Sequence, residues 1–183
     1  MHSAEEIQAP QAPVSFKRGY VQLYMGEGFG KSMAAFGLAV RMSTYNQRIY
    51  IARFWLAEIV RSDRIHDLVP NIEMEFFGDS EEGALPVRGV RKHRARAGMK
   101  RLEQALVSGS YGLVVGDALL DALEAEWVSE EAVKNLIRVR RKSVEFVITG
   151  TNAPDWLIDK ADLVSERVTI HPKDFQERTQ YIR

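Results

Sequence analysis

The chain has 183 residues, 45% of them hydrophobic and 27% charged, and its 25 lysines and arginines balance 25 aspartates and glutamates. That length suits one domain with a substantial core, and the composition is ordinary for a globular protein. The neutral balance gives no sign of a nucleic-acid or membrane partner, and the lack of cysteine excludes disulfides, zinc–thiolate sites and thiol nucleophiles.

Residues 1–18 are polar and contain no apolar run of signal-peptide type, so they are expected to form a flexible N-terminal arm. Residues 19–183 are expected to form a single α/β domain. No apolar run reaches the roughly 18 residues a membrane helix needs. With no cysteine to oxidise, a reducing cytoplasm is the expected location.

In chain order, Tyr20–Tyr24 is a β-rich run ending in glycines, and a helical pattern follows over Lys31–Ser43. Arg48–Phe54 and Ile72–Phe77 read as the next strands, and Gly78–Gly89 as a loop. A charged, periodic helix is expected from about Arg91 to Ser108, then a nearly continuous apolar run over Tyr111–Leu119 that carries Asp117. Ser129 is a candidate N-cap, with Glu130 and Glu131 in the first turn and Arg138, Arg140 and Arg141 near the end, all suited to the helix dipole. Ser143–Gly150 reads as a buried strand, Ala153–Ala161 as a short helix and Leu163–Ile170 as a last strand. Helices and strands alternate, and three strands are apolar on both faces. This predicts a mostly parallel sheet with helices on both faces.

Between the first strand and the first helix stands Gly26-Glu27-Gly28-Phe29-Gly30-Lys31-Ser32-Met33. Glycines let backbone N–H groups approach phosphate oxygens, and a helix N-terminus adds free N–H groups and a positive dipole end. Lys31 would reach the outer phosphates and the Ser32 hydroxyl would ligate magnesium, as in a P-loop. The strict pattern wants a glycine where this chain has Met25. Asp117, at the end of an apolar strand, is the candidate acidic partner acting on Mg2+ directly or through water; a strand-end aspartate capping a turn is the plainer alternative. His66, His93 and His171 are scattered and suggest no metal site.

These residues carry a resemblance. "GYVQLYMGEGFGKSMAAFGLAVR" resembles the opening of the ATP:corrinoid adenosyltransferases, whose shortened loop G-x-G-x-G-K-[ST] comes after a non-glycine residue. "YGLVVGDALLDAL" is similar to that family's acidic strand. "VITGTNAPDWLIDKADLVSE" resembles its L-T-G-R-N-A-P segment and the A-D-L-V-T-E beyond it, and His171-Pro172 its terminal H-P. The resemblance implies a P-loop nucleoside triphosphate hydrolase-like fold, ATP and Mg2+ as ligands, and transfer of the 5′-deoxyadenosyl group of ATP to a reduced corrinoid. It implies ATP binding by Gly26, Glu27, Gly28, Phe29, Gly30, Lys31, Ser32 and Met33, magnesium at Ser32 and Asp117, and no protein nucleophile, because cobalt(I) attacks. A homodimer and a flavoprotein reductant belong to the same expectation.

The chain departs from the family pattern at four places. Ala118 stands where the family has a glutamate, Thr151 where it has an arginine, and the end of the chain differs. An aromatic Phe-Thr-Trp stretch is replaced by "EFFGDSEEG", so Phe76 or Phe77 is the candidate corrinoid contact and the tryptophan is missing; simple strand core is the alternative for both phenylalanines. An ATP-binding paralogue without transferase activity is therefore the second functional class. A third feature is the basic stretch Arg88, Arg91, Lys92, Arg94, Arg96, Lys100 and Arg101. It reads as a solvated helix face rather than a nucleic-acid site, since no aromatics interleave and the net charge is neutral.

Overall fold

The computed structural model describes residues 17–55, 68–78 and 88–170. Most of the expected N-terminal arm, His66, most of the loop after Phe77 and the His171-Pro172 match lie outside the described residues. Six strands form one parallel sheet: β1 (Val21–Met25), β2 (Ile49–Arg53), β3 (Ile72–Phe76), β4 (Leu113–Asp117), β5 (Glu145–Thr149) and β6 (Leu163–Glu166). Their spatial order is β3-β2-β4-β5-β1-β6. The helices are α1 (Lys31–Ser43), α2 (Arg88–Ser108), α3 (Leu119–Glu124), α4 (Glu130–Val139) and α5 (Asp155–Lys160).

The alternating residues of each strand sort the helices. Ile49 and Ile51 of β2, Leu113 and Val115 of β4 and Val147 of β5 pack against Ala35, Ala39 and Met42 of α1. Tyr50, Val114, Phe146 and Ile148 point the other way, into a larger core with Leu102 and Leu106 of α2, Leu120 of α3, Leu136 of α4 and Leu157 of α5. Strands buried on both faces read as unbroken apolar runs, which is why "IYIA", "LVV" and "FVI" carry so little polar punctuation. Gly98 lets α2 come close: a Cβ there would lie 2.8 Å from the rings of both Phe54 and Phe77.

Within the apolar run Tyr111–Leu119 the strand β4 ends at Asp117, as expected, and Ala118 then turns the chain into α3 with φ 56°. No glycine or proline announces that turn. The last strand ends at Glu166, not Ile170, because the chain beyond it leaves the sheet edge to lean on the loop after β1. The cap at Ser129 forms as expected, its hydroxyl accepting from the Ala132 N–H at 3.3 Å.

Arg101, the last residue of the basic stretch, is held within the molecule. Arg101 forks onto Glu75, with Nη2 to Oε1 at 2.7 Å and Nε to Oε2 at 3.0 Å, and its Nη2 also reaches Glu73 at 3.3 Å. The Tyr50 hydroxyl donates to Glu75 at 2.9 Å; burial, then this bond, pushes its pKa up. The Arg101 bonds hold the Glu75 carboxyl below its ordinary value of 4.5. A depressed acid stabilises the fold above its unfolded pKa and ceases to as pH falls through its folded pKa. The expected result is that Arg101→Ala lowers the melting temperature near neutrality. That difference from wild type should close as pH drops below about 4.5. Thermal melts across the acid limb check it, and a difference that does not change with pH would refute the linkage.

Candidate nucleotide site

β1 ends at Met25, and the chain turns through Gly26 at φ 107° and Gly30 at φ 96°, left-handed positions that favour glycine. The Gly26 N–H donates to the Thr151 carbonyl at 2.8 Å. Residues 167–169 run alongside. The Gly28 N–H donates to the Arg167 carbonyl at 2.7 Å, and the Phe29 N–H to Thr169 Oγ1 at 3.2 Å. Lys31 Nζ folds over the loop and donates to the carbonyls of Gly26 at 2.7 Å and Gly28 at 2.9 Å. An ammonium has three donors, so one remains for a ligand. No side chain caps α1, so the N–H groups of its first turn are left without intrahelical acceptors. Glu27, Phe29 and Met33 are exposed around this cradle, and Ser32 is half-buried at its helical side.

A polar row crosses the sheet at the same end. Arg53 of β2 pairs in register with Asp117 of β4, and Thr149 closes β5 next to it. By strand alternation all three lie on the face that α1 covers. Arg53 Nε donates to Asp117 Oδ2 at 2.7 Å, with side chains only 11% and 4% exposed. The Thr149 hydroxyl donates to Asp117 Oδ1 at 2.7 Å and accepts from the Ala118 N–H at 2.8 Å. Sequence reasoning missed Arg53. A basic residue ending one apolar strand and an acidic residue ending another were visible, but their register was not.

This donor set fits magnesium poorly. Both Asp117 oxygens are occupied by protein donors, and Ala118 supplies no carboxylate. Asp121 Oδ1 accepts from both the N–H and the hydroxyl of Thr151, at 3.0 and 2.7 Å. Asp121 therefore braces the residue whose carbonyl holds Gly26. Of the oxygens expected to meet magnesium, the Ser32 hydroxyl alone has no hydrogen-bond partner among the described residues. Among the described residues no group of three or more His, Cys, Asp or Glu could hold a metal ion.

The two phenylalanines at the end of β3, Phe76 within it and Phe77 just beyond, divide. Phe77 packs against the core and stacks obliquely on Phe54, with centroids 6.0 Å apart. Phe76 is exposed, its ring 6.0 Å from the Arg53 guanidinium. A tryptophan pair lies beside them: Trp55 stacks on Trp127 at 5.0 Å and 9°, and a Cβ on Gly78 would lie 2.7 Å from the Trp55 carbonyl. Arg91 lies over the Trp127 ring at 5.4 Å, and Arg94 donates to the Gly78 carbonyl at 2.9 Å. Lys92 and Arg96 line a cavity of about 860 Å³, together with Trp127, Leu123 and Asn152. Asn152 directly succeeds Thr151, whose carbonyl holds Gly26, but no residue of the glycine loop is among those that line this cavity. Arg91, Lys92, Arg94, Arg96 and Arg101 are thus divided between internal partners and a cavity wall.

Over residues 17–180 the chain matches the family model described as ATP:corrinoid adenosyltransferase BtuR/CobO/CobP. The chain belongs to this family. It is 26% identical over 152 residues to a corrinoid adenosyltransferase of Pseudomonas aeruginosa, covering 82% of this chain and 75% of that one. To the Escherichia coli corrinoid adenosyltransferase it is 23% identical over 163 residues, covering 88% and 83%. An uncharacterized protein of Nostoc sp. is 28% identical over 173 residues; the match covers 84% of this chain but spans only 44% of that relative's length. Among solved structures, domain III of the Thermotoga maritima replication initiation protein DnaA overlaps 91% of this chain and 61% of that one. Its TM-score is 0.42 at 10% identity, too loose a likeness to argue from. Among the described residues no helix is long and apolar enough to cross a membrane.

Proposed function

We propose that this member of the family transfers the 5′-deoxyadenosyl group of ATP to the cobalt of a reduced corrinoid and releases triphosphate. The carrying observation is the uncapped α1 N-terminus under a glycine loop that Lys31 bridges, in a chain that matches the family over residues 17–180. The cobalt(I) electron pair attacks C5′, and the C5′–O bond breaks with its electrons leaving on the triphosphate. The protein's work is to hold C5′ near the metal and to stabilise the anion that departs. The free Lys31 donor and the first-turn N–H groups of α1 face that charge. The cavity walled by Lys92, Arg96, Trp127 and Asn152 offers room for the corrinoid, and Trp127, stacked on Trp55, gives it an aromatic wall; exposed Phe76 is a second aromatic surface. A cytoplasmic homodimer, supplied with cobalt(I) by a flavoprotein, is the setting this reading implies.

The test is an anaerobic incubation with cob(I)alamin and ATP, then chromatography for the adenosylated product and for triphosphate. Both products in equal amounts are expected. ATP binding without either product would favour the ATP-binding paralogue.

A further inference from the structure

The acidic residue at the end of β4 is engaged in a way that changes what it can do. Asp117 is buried, one carboxylate oxygen accepting from Arg53 Nε and the other from the Thr149 hydroxyl. Thr149 is itself held by the Ala118 N–H. A carboxylate fixed in this way is a poor metal ligand and a good anchor for a guanidinium. Arg53 spends only Nε on that anchor; among the described residues its two Nη groups donate no hydrogen bond, although the side chain is 11% exposed. An arginine so enclosed, with four N–H donors left over, is built to receive an anion.

Its position says which anion. Neighbouring strands lie about 4.8 Å apart. β4 is two strands from β1, and so Asp117 stands about 10 Å to the side of the strand that feeds the loop. Arg53 reaches toward Asp117 from the next strand out, on the α1 face and at the C-terminal edge where α1 begins. The exposed Phe76 ring, 6.0 Å from the guanidinium, limits its freedom on the other side. We infer that Arg53 is a phosphate-binding residue of the nucleotide site and that Asp117 is the positioning residue that aims it, rather than a ligand of magnesium. This assignment rests on the ATP site proposed above but not on corrinoid chemistry. The charge that a carboxylate-held metal would neutralise is met here in part by a fixed guanidinium.

The experiment measures ATP and inorganic tripolyphosphate binding by calorimetry, with excess Mg2+ and with chelator, and without corrinoid. Arg53→Gln should weaken both ligands about 10- to 100-fold, the range of a charge-assisted hydrogen bond, in both buffers. Arg53→Lys, which keeps the charge without the fork, should recover part of the loss. Asp117→Asn should weaken binding by a similar factor in both buffers, and the double variant Arg53→Gln/Asp117→Asn should be no worse than Arg53→Gln alone. The double variant removes both charges together, so it leaves no buried charge unpaired if a single variant folds poorly. A metal-ligand role predicts the opposite pattern: Asp117→Asn would lose affinity only when Mg2+ is present, and Arg53→Gln would free the carboxylate and tighten Mg2+-dependent binding. That outcome, or ATP affinity unchanged in Arg53→Gln, overturns the assignment alone. Wild-type protein that binds neither ATP nor tripolyphosphate overturns the nucleotide site and this assignment together.

Discussion

Replacing Lys31 with alanine should lower ATP affinity about 30- to 150-fold, with little change in melting temperature. The magnitude comes from losing a charged donor at an anion, about 2–3 kcal/mol, at 1.4 kcal/mol per factor of ten. Lys31 also bridges the carbonyls of Gly26 and Gly28, so the variant loosens the loop as well as removing a contact. The fold should tolerate this. Lys31 is only half-buried, and the core under α1 is carried by Ala35, Ala39 and Met42. Lys31→Gln, which keeps most of the stem and can still bond one carbonyl, should lose nearly as much affinity, because the missing element is charge. Calorimetry with ATP, beside a thermal melt, separates the two effects. Unchanged ATP affinity in Lys31→Ala would falsify the assignment of this loop to phosphate.

Much of this architecture was legible in the chain. The parallel sheet was visible because β2, β4 and β5 are covered on both faces and could not alternate. The loop was visible because its chemistry needs glycines in close succession, with Lys-Ser directly after them. What escaped the sequence depends on register and on backbone exceptions. Arg53 and Asp117 meet because Ile49 pairs with Leu113, a register fixed by side-chain packing across two strands and not by any local signal. Helix α3 was hidden because Ala118 takes a left-handed conformation, which an L-residue adopts at some cost and which usually marks glycine or asparagine. The stack of Trp55 on Trp127 was invisible too, because 72 positions separate the two in sequence. Phe77, equally plausible as site or core, went to the core because Gly98 leaves room for its ring against Phe54.

Gly28→Ala should damage the protein in a different way, weakening ATP binding at least tenfold and also lowering the melting temperature. A methyl group at this position would lie 2.5 Å from the Arg167 carbonyl oxygen, 2.6 Å from its carbon and 2.7 Å from the Val168 nitrogen. All three are backbone atoms, so no side-chain rotation relieves the clash. Either the loop moves or residues 167–169 do. Movement breaks the Gly28–Arg167 bond and strains the neighbouring one from Phe29 to Thr169. An overpacked contact of this kind costs about 1–3 kcal/mol. For a chain of this length that lowers the melting temperature by roughly 2–12 °C. Gly30→Ala makes the informative comparison. Its methyl group would meet nothing within 4 Å, but φ 96° makes an alanine strained there. It should therefore impair the cradle without prising residues 167–169 away. ATP affinity lost in both variants, with protease sensitivity after β6 raised only in Gly28→Ala, is the expected pattern. It would mean that the extension of β6 is a structural part of the phosphate loop. Identical behaviour of the two variants would mean that the loop holds its shape without that support.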